Sequence, residues 1–119
     1  MPDVVILHNP NCSTSRHAVE VAAELGVPIS ERRYLLKAQR LSRDEIVDLA
    51  GMLDDPVTDL VRRDAAFAKL GLTDADVTTV DQVADVLAEH FALLQRPILV
   101  KDGRAIIGRP KDRVAAFLS

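Results

Sequence analysis

The sequence predicts an α/β fold with a small mixed sheet and a helical insertion between the second and third strands. Three observations predict it. Residues 4–36 have the pattern of a strand, a helix and a second strand, residues 42–91 have helical patterns almost throughout, and residues 98–107 have the pattern of a hairpin. A strand, a helix and a strand in that order favour a right-handed parallel unit, and a hairpin adds an antiparallel pair.

The first strand is predicted at the apolar run 4–7, and a helix follows Cys12. This helix should end at Gly26, because glycine is favoured just past a helix and Pro28 prevents any extension. The second strand is predicted over residues 29–36.

Capping signals predict the helices of the insertion. Two capping boxes begin helices, Ser42 with Glu45 and Thr79 with Gln82. Asp55-Pro56 places an N-cap before a proline at the first helical position, which predicts a helix that ends near Gly71.

The C-terminal part begins with a predicted strand at residues 98–100. Asp102-Gly103 is a strong two-residue turn signal, and residues 104–107 should return as an antiparallel strand. Pro110 is predicted to open a last helix. The order of strand, helix, strand, helical block, hairpin and helix suggests a thioredoxin-like fold.

The composition excludes several classes of protein. At 119 residues, 48% hydrophobic and 28% charged, the chain suits one globular domain over residues 1–119. A net charge of −3 favours neither nucleic acid nor an anionic membrane as a partner. A single cysteine forms no internal disulfide, and Met1-Pro2-Asp3 lacks the basic start of a signal peptide, so we expect a cytoplasmic protein.

The stretch from His8 to Arg16 contains that cysteine at the point where a strand passes into a helix. The first N–H groups of a helix bind anions and favour a thiolate at Cys12. The hydroxyls of Ser13, Thr14 and Ser15 and the guanidinium of Arg16 add donors. Free cysteine is often a small buried hydrophobe, but polar neighbours on both sides favour a reactive thiol here. His8 could favour the thiolate or could hydrogen bond at the strand end, and both roles stay open.

Three arginines are candidate ligands for an oxyanion, because a guanidinium matches two oxygens at once. Arg96 precedes Pro97 and Arg109 precedes Pro110, and a proline favours an extended preceding residue that can project from the end of a sheet. The third is Arg62 or Arg63 in the insertion. Taken one at a time, each could equally be a solvated surface residue.

The pattern His-Asn-Pro-x-Cys-Ser-x-Ser-Arg resembles the glutaredoxin-linked arsenate reductase family, which has a thioredoxin-like fold. Three further motifs agree with that family in order and spacing, Leu60-Val61-Arg62-Arg63, Gln95-Arg96-Pro97 and Gly108-Arg109-Pro110. The resemblance covers essentially the whole chain. It implies Arg62 rather than Arg63 as the first arginine, and a cis bond before Pro97.

The resemblance also implies a function. Cys12 would attack arsenate, held by Arg62, Arg96, Arg109 and the residues Ser13 to Ser15. Glutathione, or another small thiol, would be the co-substrate and glutaredoxin the partner, with no tightly bound cofactor and no metal. Position 15, where a Cys-x-x-Cys protein has its second cysteine, is a serine, so the second thiol must come from outside.

Two alternatives remain at this point. One is a thiol-disulfide or glutathione-dependent oxidoreductase with another substrate. The other is a non-catalytic relative of the transcriptional regulators of the same superfamily, which contact RNA polymerase and typically carry a Cys-x-x-Cys pair. The three arginines favour the reductase, since neither alternative needs three oxyanion ligands.

Overall fold

A computed structural model describes residues 4–119, and Met1-Pro2-Asp3 lies outside the described residues. The strands are β1 (Val4–Leu7), β2 (Ile29–Arg32), β3 (Ile98–Lys101) and β4 (Arg104–Ile107). The α-helices are α1 (Ser13–Glu24), α2 (Arg43–Met52), α3 (Ala65–Lys69), α4 (Val80–Glu89) and α5 (Arg113–Leu118). Short 3₁₀ turns lie at Lys37–Gln39, Val57–Leu60, Asp74–Val77 and Phe91–Leu93.

The strands form one mixed sheet in the order β2-β1-β3-β4. β1 and β2 are parallel, whereas β3 is antiparallel to both β1 and β4. The predicted mixed sheet, with its parallel first unit and its antiparallel hairpin, is therefore confirmed. The hairpin turn has positive φ angles of 54° at Asp102 and 76° at Gly103, as a two-residue turn between twisted strands requires.

The sheet has a core on each face, because successive side chains of a strand point to opposite sides. Val4 and Ile6 of β1 belong to a cluster with residues of α1 and α5. Leu7 belongs to the second, larger cluster, which is formed mainly by the insertion. The two faces together hold the end of β1, and therefore the loop with Cys12, in a fixed position.

The prediction that the second strand extends to residue 36 is wrong, because β2 ends at Arg32. The Arg32 guanidinium binds Glu45 at the start of α2, and its Nε donates to the Gln39 carbonyl oxygen at 2.9 Å. These bonds turn the chain away from the sheet edge. Beyond the turn Tyr34 is fully buried, whereas Leu36 is 51% exposed.

The predicted helix from Asp55-Pro56 to near Gly71 is also wrong. Only a 3₁₀ turn forms at Val57–Leu60, and α3 begins after Asp64, whose side chain accepts from the Phe67 N–H at 3.1 Å. Between them Val61 makes an antiparallel bridge to Leu94. Two backbone bonds flank this bridge, Arg62 N–H to Leu93 O at 2.8 Å and Gln95 N–H to Leu60 O at 2.7 Å. Pairing with a distant segment therefore replaces the local helix.

Both predicted capping boxes are present at the starts of α2 and α4. The last helix begins at Arg113 and not at Pro110. Residues 110–113 form a turn instead, in which the Arg113 N–H donates to the Pro110 carbonyl oxygen at 3.1 Å. The Arg113 guanidinium donates to the carbonyl oxygens of Ile107 and Arg109, which fixes this turn beside the end of β4.

Candidate active site

Cys12 is the N-cap residue of α1, with extended backbone angles (φ −102°, ψ 122°). Its N–H donates to the Asn9 carbonyl oxygen at 3.0 Å, and its own carbonyl accepts from the Arg16 N–H at 3.0 Å. The Asn9 side chain accepts from the Asn11 N–H at 2.9 Å, which fixes the loop before the helix. The Cys12 thiol, which makes no capping bond itself, therefore lies beside the free N–H groups of the first turn.

The surroundings lower the pKa of the Cys12 thiol. Partial burial raises this pKa, but hydrogen bonds from the Ser15 N–H, the Arg96 side chain and the Thr14 N–H, together with the charge of Arg109, outweigh it. Arg109 makes the most direct contact, with Nη2 3.4 Å from Sγ. The arrangement stabilises a thiolate at Cys12.

Arg96 and Arg109 come together because they lie at adjacent ends of β3 and β4. Arg109 Nε donates to the Arg96 carbonyl oxygen at 2.7 Å. The Arg96–Pro97 bond is cis, which confirms that prediction, and the Arg109–Pro110 bond is cis as well, which was not predicted. The Gly108 N–H donates to the Pro97 carbonyl oxygen at 2.8 Å and completes the contact between the two segments.

Arg62 and Arg63 lie in different surroundings, although they are adjacent in sequence. Arg63 binds Thr58 and lies 3.2 Å from Asp74 on the outer side of the insertion. Arg62 pairs with Asp64 at 3.3 Å, and its charge acts on the Tyr34 hydroxyl, as do the charges of Arg96 and Cys12. Of the two, Arg62 is the one whose charge acts on the Tyr34 hydroxyl, whereas Arg63 lines a surface cavity together with Arg109.

His8 makes the strand-end contacts that were one of its two predicted roles. Its Nδ1 lies 2.7 Å from Ser15 Oγ, and its Nε2 lies 3.5 Å from a Glu31 carboxylate oxygen. Ser15 Oγ also accepts from the Asn9 N–H at 3.0 Å. Burial lowers the pKa of His8, against the opposing effect of Glu31, so the imidazole is neutral near pH 7. In the structure His8 contacts Ser15 and Glu31 at the end of the strand.

The remaining predicted residues divide between the site and its support. Thr14, Ser15 and Pro97 are buried near Cys12, whereas Ser13 is exposed. The Arg16 guanidinium binds the loop, because its Nη1 donates to the Pro10 carbonyl oxygen at 2.9 Å. Arg16 therefore stabilises the loop that carries Cys12.

Sequence reasoning missed two residues. Asn9 shapes the loop, and the buried Tyr34 hydroxyl donates to the carbonyl oxygen of Leu94, two residues before Arg96. Two signals could have indicated Tyr34: it is the chain's only tyrosine, and it lies in a chain that otherwise builds its core mainly from aliphatic residues. Among residues 4–119, no group of three potential metal ligands is present, and no helix is long and apolar enough to cross a membrane.

The fold and the site define a thioredoxin-like α/β protein with a cysteine of lowered pKa near two arginines. A family model described as the ArsC family matches residues 7–117. The chain belongs to the ArsC family.

Curated relatives and solved structures agree with this assignment. The chain is 34% identical to an arsenate reductase of Neisseria meningitidis serogroup B, over 99% of this chain and 100% of the relative. It is 32% identical to an arsenate reductase of Escherichia coli K12, over 99% of this chain and 82% of the relative. The arsenate reductase structure from Vibrio cholerae superposes with a TM-score of 0.85 at 32% identity, over 98% of each chain.

Proposed function

We propose that this protein is an arsenate reductase in which Cys12 is the nucleophile and an external thiol and glutaredoxin supply the electrons. One observation carries the proposal: the Cys12 sulfur has a lowered pKa and lies 3.4 Å from Arg109 Nη2. A thiolate repels an oxyanion unless cations lie between them. Arg96 and Arg109 provide that positive charge where the two anions must meet.

In the first step the Cys12 thiolate attacks arsenic(V). A sulfur–arsenic bond forms, and one arsenate oxygen takes up protons and leaves as water. Arg96 and Arg109 hold the remaining oxygens, with Arg62 as a third cation and the N–H groups of the first turn of α1 as further donors. These groups are fixed before the substrate arrives, so little reorganisation is needed.

In the second step a small thiol, glutathione in our proposal, joins the arsenic, and a second oxygen leaves as water. Both sulfur–arsenic bonds then break: one electron pair forms the sulfur–sulfur bond of the disulfide, and the other stays on arsenic as a lone pair, which reduces it to arsenic(III). The arsenic(III) takes up water and leaves as arsenite. A glutaredoxin thiolate finally attacks the glutathione sulfur of the mixed disulfide and releases the Cys12 thiolate. An external donor is needed because position 15 holds a serine.

A coupled assay tests the proposal: purified protein, arsenate, glutathione, glutaredoxin and an NADPH-linked recycling system. Arsenate-dependent NADPH consumption should be present in the wild type and absent in Cys12→Ser, because a hydroxyl is far less nucleophilic than a thiolate. Arg104→Met, an exposed arginine paired with Asp54, is the matched control and should retain activity. Retained activity in Cys12→Ser would exclude this mechanism. An inactive wild type whose Cys12 still reacts with an alkylating reagent would indicate another thiol donor or another substrate.

A further inference from the structure

The sequence predicts Asp55 as the N-cap of a helix, but the structure gives this residue other partners. The element that follows it is a short 3₁₀ turn without a side-chain cap. The segment before it lies along β4, the edge strand of the sheet, through a parallel bridge between Leu53 and Ala105. The Asp54 N–H donates to the Ala105 carbonyl oxygen at 2.9 Å in the same contact. Asp55 therefore comes next along the edge of β4.

The Asp55 carboxylate uses both of its oxygens at the end of β4. Oδ2 accepts from the Ile107 N–H at 3.0 Å, and Oδ1 lies 3.0 Å from Arg113 Nη2. The other terminal nitrogen of Arg113, Nη1, donates to the carbonyl oxygens of Ile107 at 3.0 Å and Arg109 at 3.2 Å. One carboxylate and one guanidinium thus hold the backbone of residues 107–109 at three points.

The segment held in this way carries the arginine that contacts the Cys12 sulfur. Arg109 Nη2 lies 3.4 Å from Sγ, and Arg109 Nε donates to the Arg96 carbonyl oxygen. Because Arg113 binds the carbonyl oxygen of Arg109 itself, a shift of this backbone moves the Arg109 guanidinium relative to the sulfur. A displacement of about 1 Å in such a group is enough to reduce a reaction rate strongly.

The pair formed by Asp55 and Arg113 differs from an exposed ion pair, which usually contributes little. The Asp55 side chain is 17% exposed and that of Arg113 is 32% exposed. Removing one member leaves the other charge without its partner in a partly buried place, which is unfavourable. Asp55 belongs to the helical insertion and Arg113 to α5, so the two elements meet at the segment that carries Arg109.

We propose that Asp55 and Arg113 are positioning residues, which together hold the backbone of residues 107–109 so that the Arg109 guanidinium stays beside the Cys12 sulfur and the oxyanion bound there. The inference rests on the proposed function for its oxyanion. Its effect on the Cys12 thiol does not depend on any substrate.

Asp55→Asn tests the proposal by the sign of its effect on Cys12. The substitution removes a negative charge, and the direct electrostatic effect of that loss would make the Cys12 thiol more acidic. Loss of positioning has the opposite effect, because the Arg109 guanidinium is no longer held beside the sulfur. We expect the thiolate, followed by its ultraviolet absorbance, to titrate at higher pH, with about threefold less thiolate than in the wild type at a pH below the midpoint.

Arg113→Lys is the second variant, because it keeps the positive charge and removes the guanidinium that binds two carbonyl oxygens. It should shift the titration of Cys12 in the same direction. In both variants the KM for arsenate should rise by up to about tenfold, while the KM for glutathione stays within about twofold. Asp54→Asn is the matched control, because it removes the same charge one residue away from an exposed pair with Arg104. It should move neither readout.

A double-mutant cycle separates positioning from a general loss of stability. In an Arg109→Met background, Asp55→Asn should have no further upward effect on the titration of Cys12. The proposal is overturned if Asp55→Asn titrates like the wild type or at lower pH, if its shift is the same with and without Arg109, or if the KM for arsenate is unchanged. The titration gives an answer even if the wild type does not reduce arsenate, so failure of this inference and failure of the proposed function are distinguishable.

Discussion

Replacing Arg109 by methionine should make the Cys12 thiol less acidic. Arg109 Nη2 lies 3.4 Å from the sulfur, and its charge is one of the causes that lower the pKa of Cys12. Methionine keeps much of the side-chain length and removes the charge. The thiolate of the variant therefore loses a cation that stabilises it, and deprotonation requires a higher pH.

The distance of 3.4 Å between Arg109 Nη2 and Cys12 Sγ sets the size of the interaction energy. Two unit charges at this separation attract by about 1.2 kcal/mol in bulk water and by about 5 kcal/mol at an effective dielectric constant of about 20. Cys12 is partly exposed, so the value should lie in the lower part of this range. An interaction of about 1.4 kcal/mol corresponds to a factor of about ten in the thiolate population below the midpoint of the titration. We therefore expect the thiolate population of Cys12 in Arg109→Met to be lower than in the wild type by about tenfold or more at a pH below the midpoint.

The assay is the ultraviolet absorbance of the thiolate against pH, with Cys12→Ser as the blank. Arg104→Met serves as the control for the loss of one positive charge far from the site, and it should titrate like the wild type. Arg109 Nε also donates to the Arg96 carbonyl oxygen. Arg109→Lys keeps the positive charge but removes the guanidinium with its several N–H donors, so it tests whether the charge alone is sufficient to lower the pKa of Cys12. A titration of Arg109→Met that coincides with that of the wild type would refute the electrostatic reasoning.

Three further predictions concern other parts of the chain. Arg62→Met should raise the KM for arsenate about tenfold or more, because Arg62 is the third oxyanion ligand in our proposal. Arg63→Met should leave that KM within about twofold, because Arg63 is bound to Thr58 and lies near Asp74; equal effects in steady-state kinetics would contradict this assignment. Gly108→Ala should lower the free energy of unfolding by about 1–3 kcal/mol in urea titrations, because its Cβ would lie 2.7 Å from Pro97 Cγ, and an unchanged midpoint would show that the segment can relax. The pKa of Glu45 is lowered to about 2, chiefly by its hydrogen bond to Arg32. The ionised Glu45 therefore stabilises the fold fully at a pH above the pKa that it has in the unfolded chain, and this stabilisation is lost as the pH falls toward about 2. Because the Glu45 side chain is 43% exposed, its contribution is small, and acidification should lower the free energy of unfolding of Glu45→Gln by only about 1 kcal/mol less than that of the wild type. An equal decrease in both proteins would show that Glu45 makes no such contribution.

The sequence by itself determined the features that depend on neighbouring residues. The apolar run of β1, the capping boxes that begin α2 and α4, and the turn at Asp102-Gly103 all form as predicted. Each depends on contacts within a few residues, so local chemistry decides it. The position of Cys12 at the start of α1 was predicted for the same reason.

Only the tertiary structure decided the features that depend on distant segments. The helix predicted after Asp55-Pro56 gives way to the bridge between Val61 and Leu94, because a pairing more than thirty residues away satisfies that backbone. Helical spacing alone does not determine the different partners of Arg62, which pairs with Asp64, and of Arg63, which lies near Asp74. The hydrogen bond from the Tyr34 hydroxyl to the Leu94 carbonyl oxygen requires the turn after β2 to meet the end of the insertion. No window of neighbouring residues contains both partners of the bridge or of this hydrogen bond, so their energies are set only when the chain has folded.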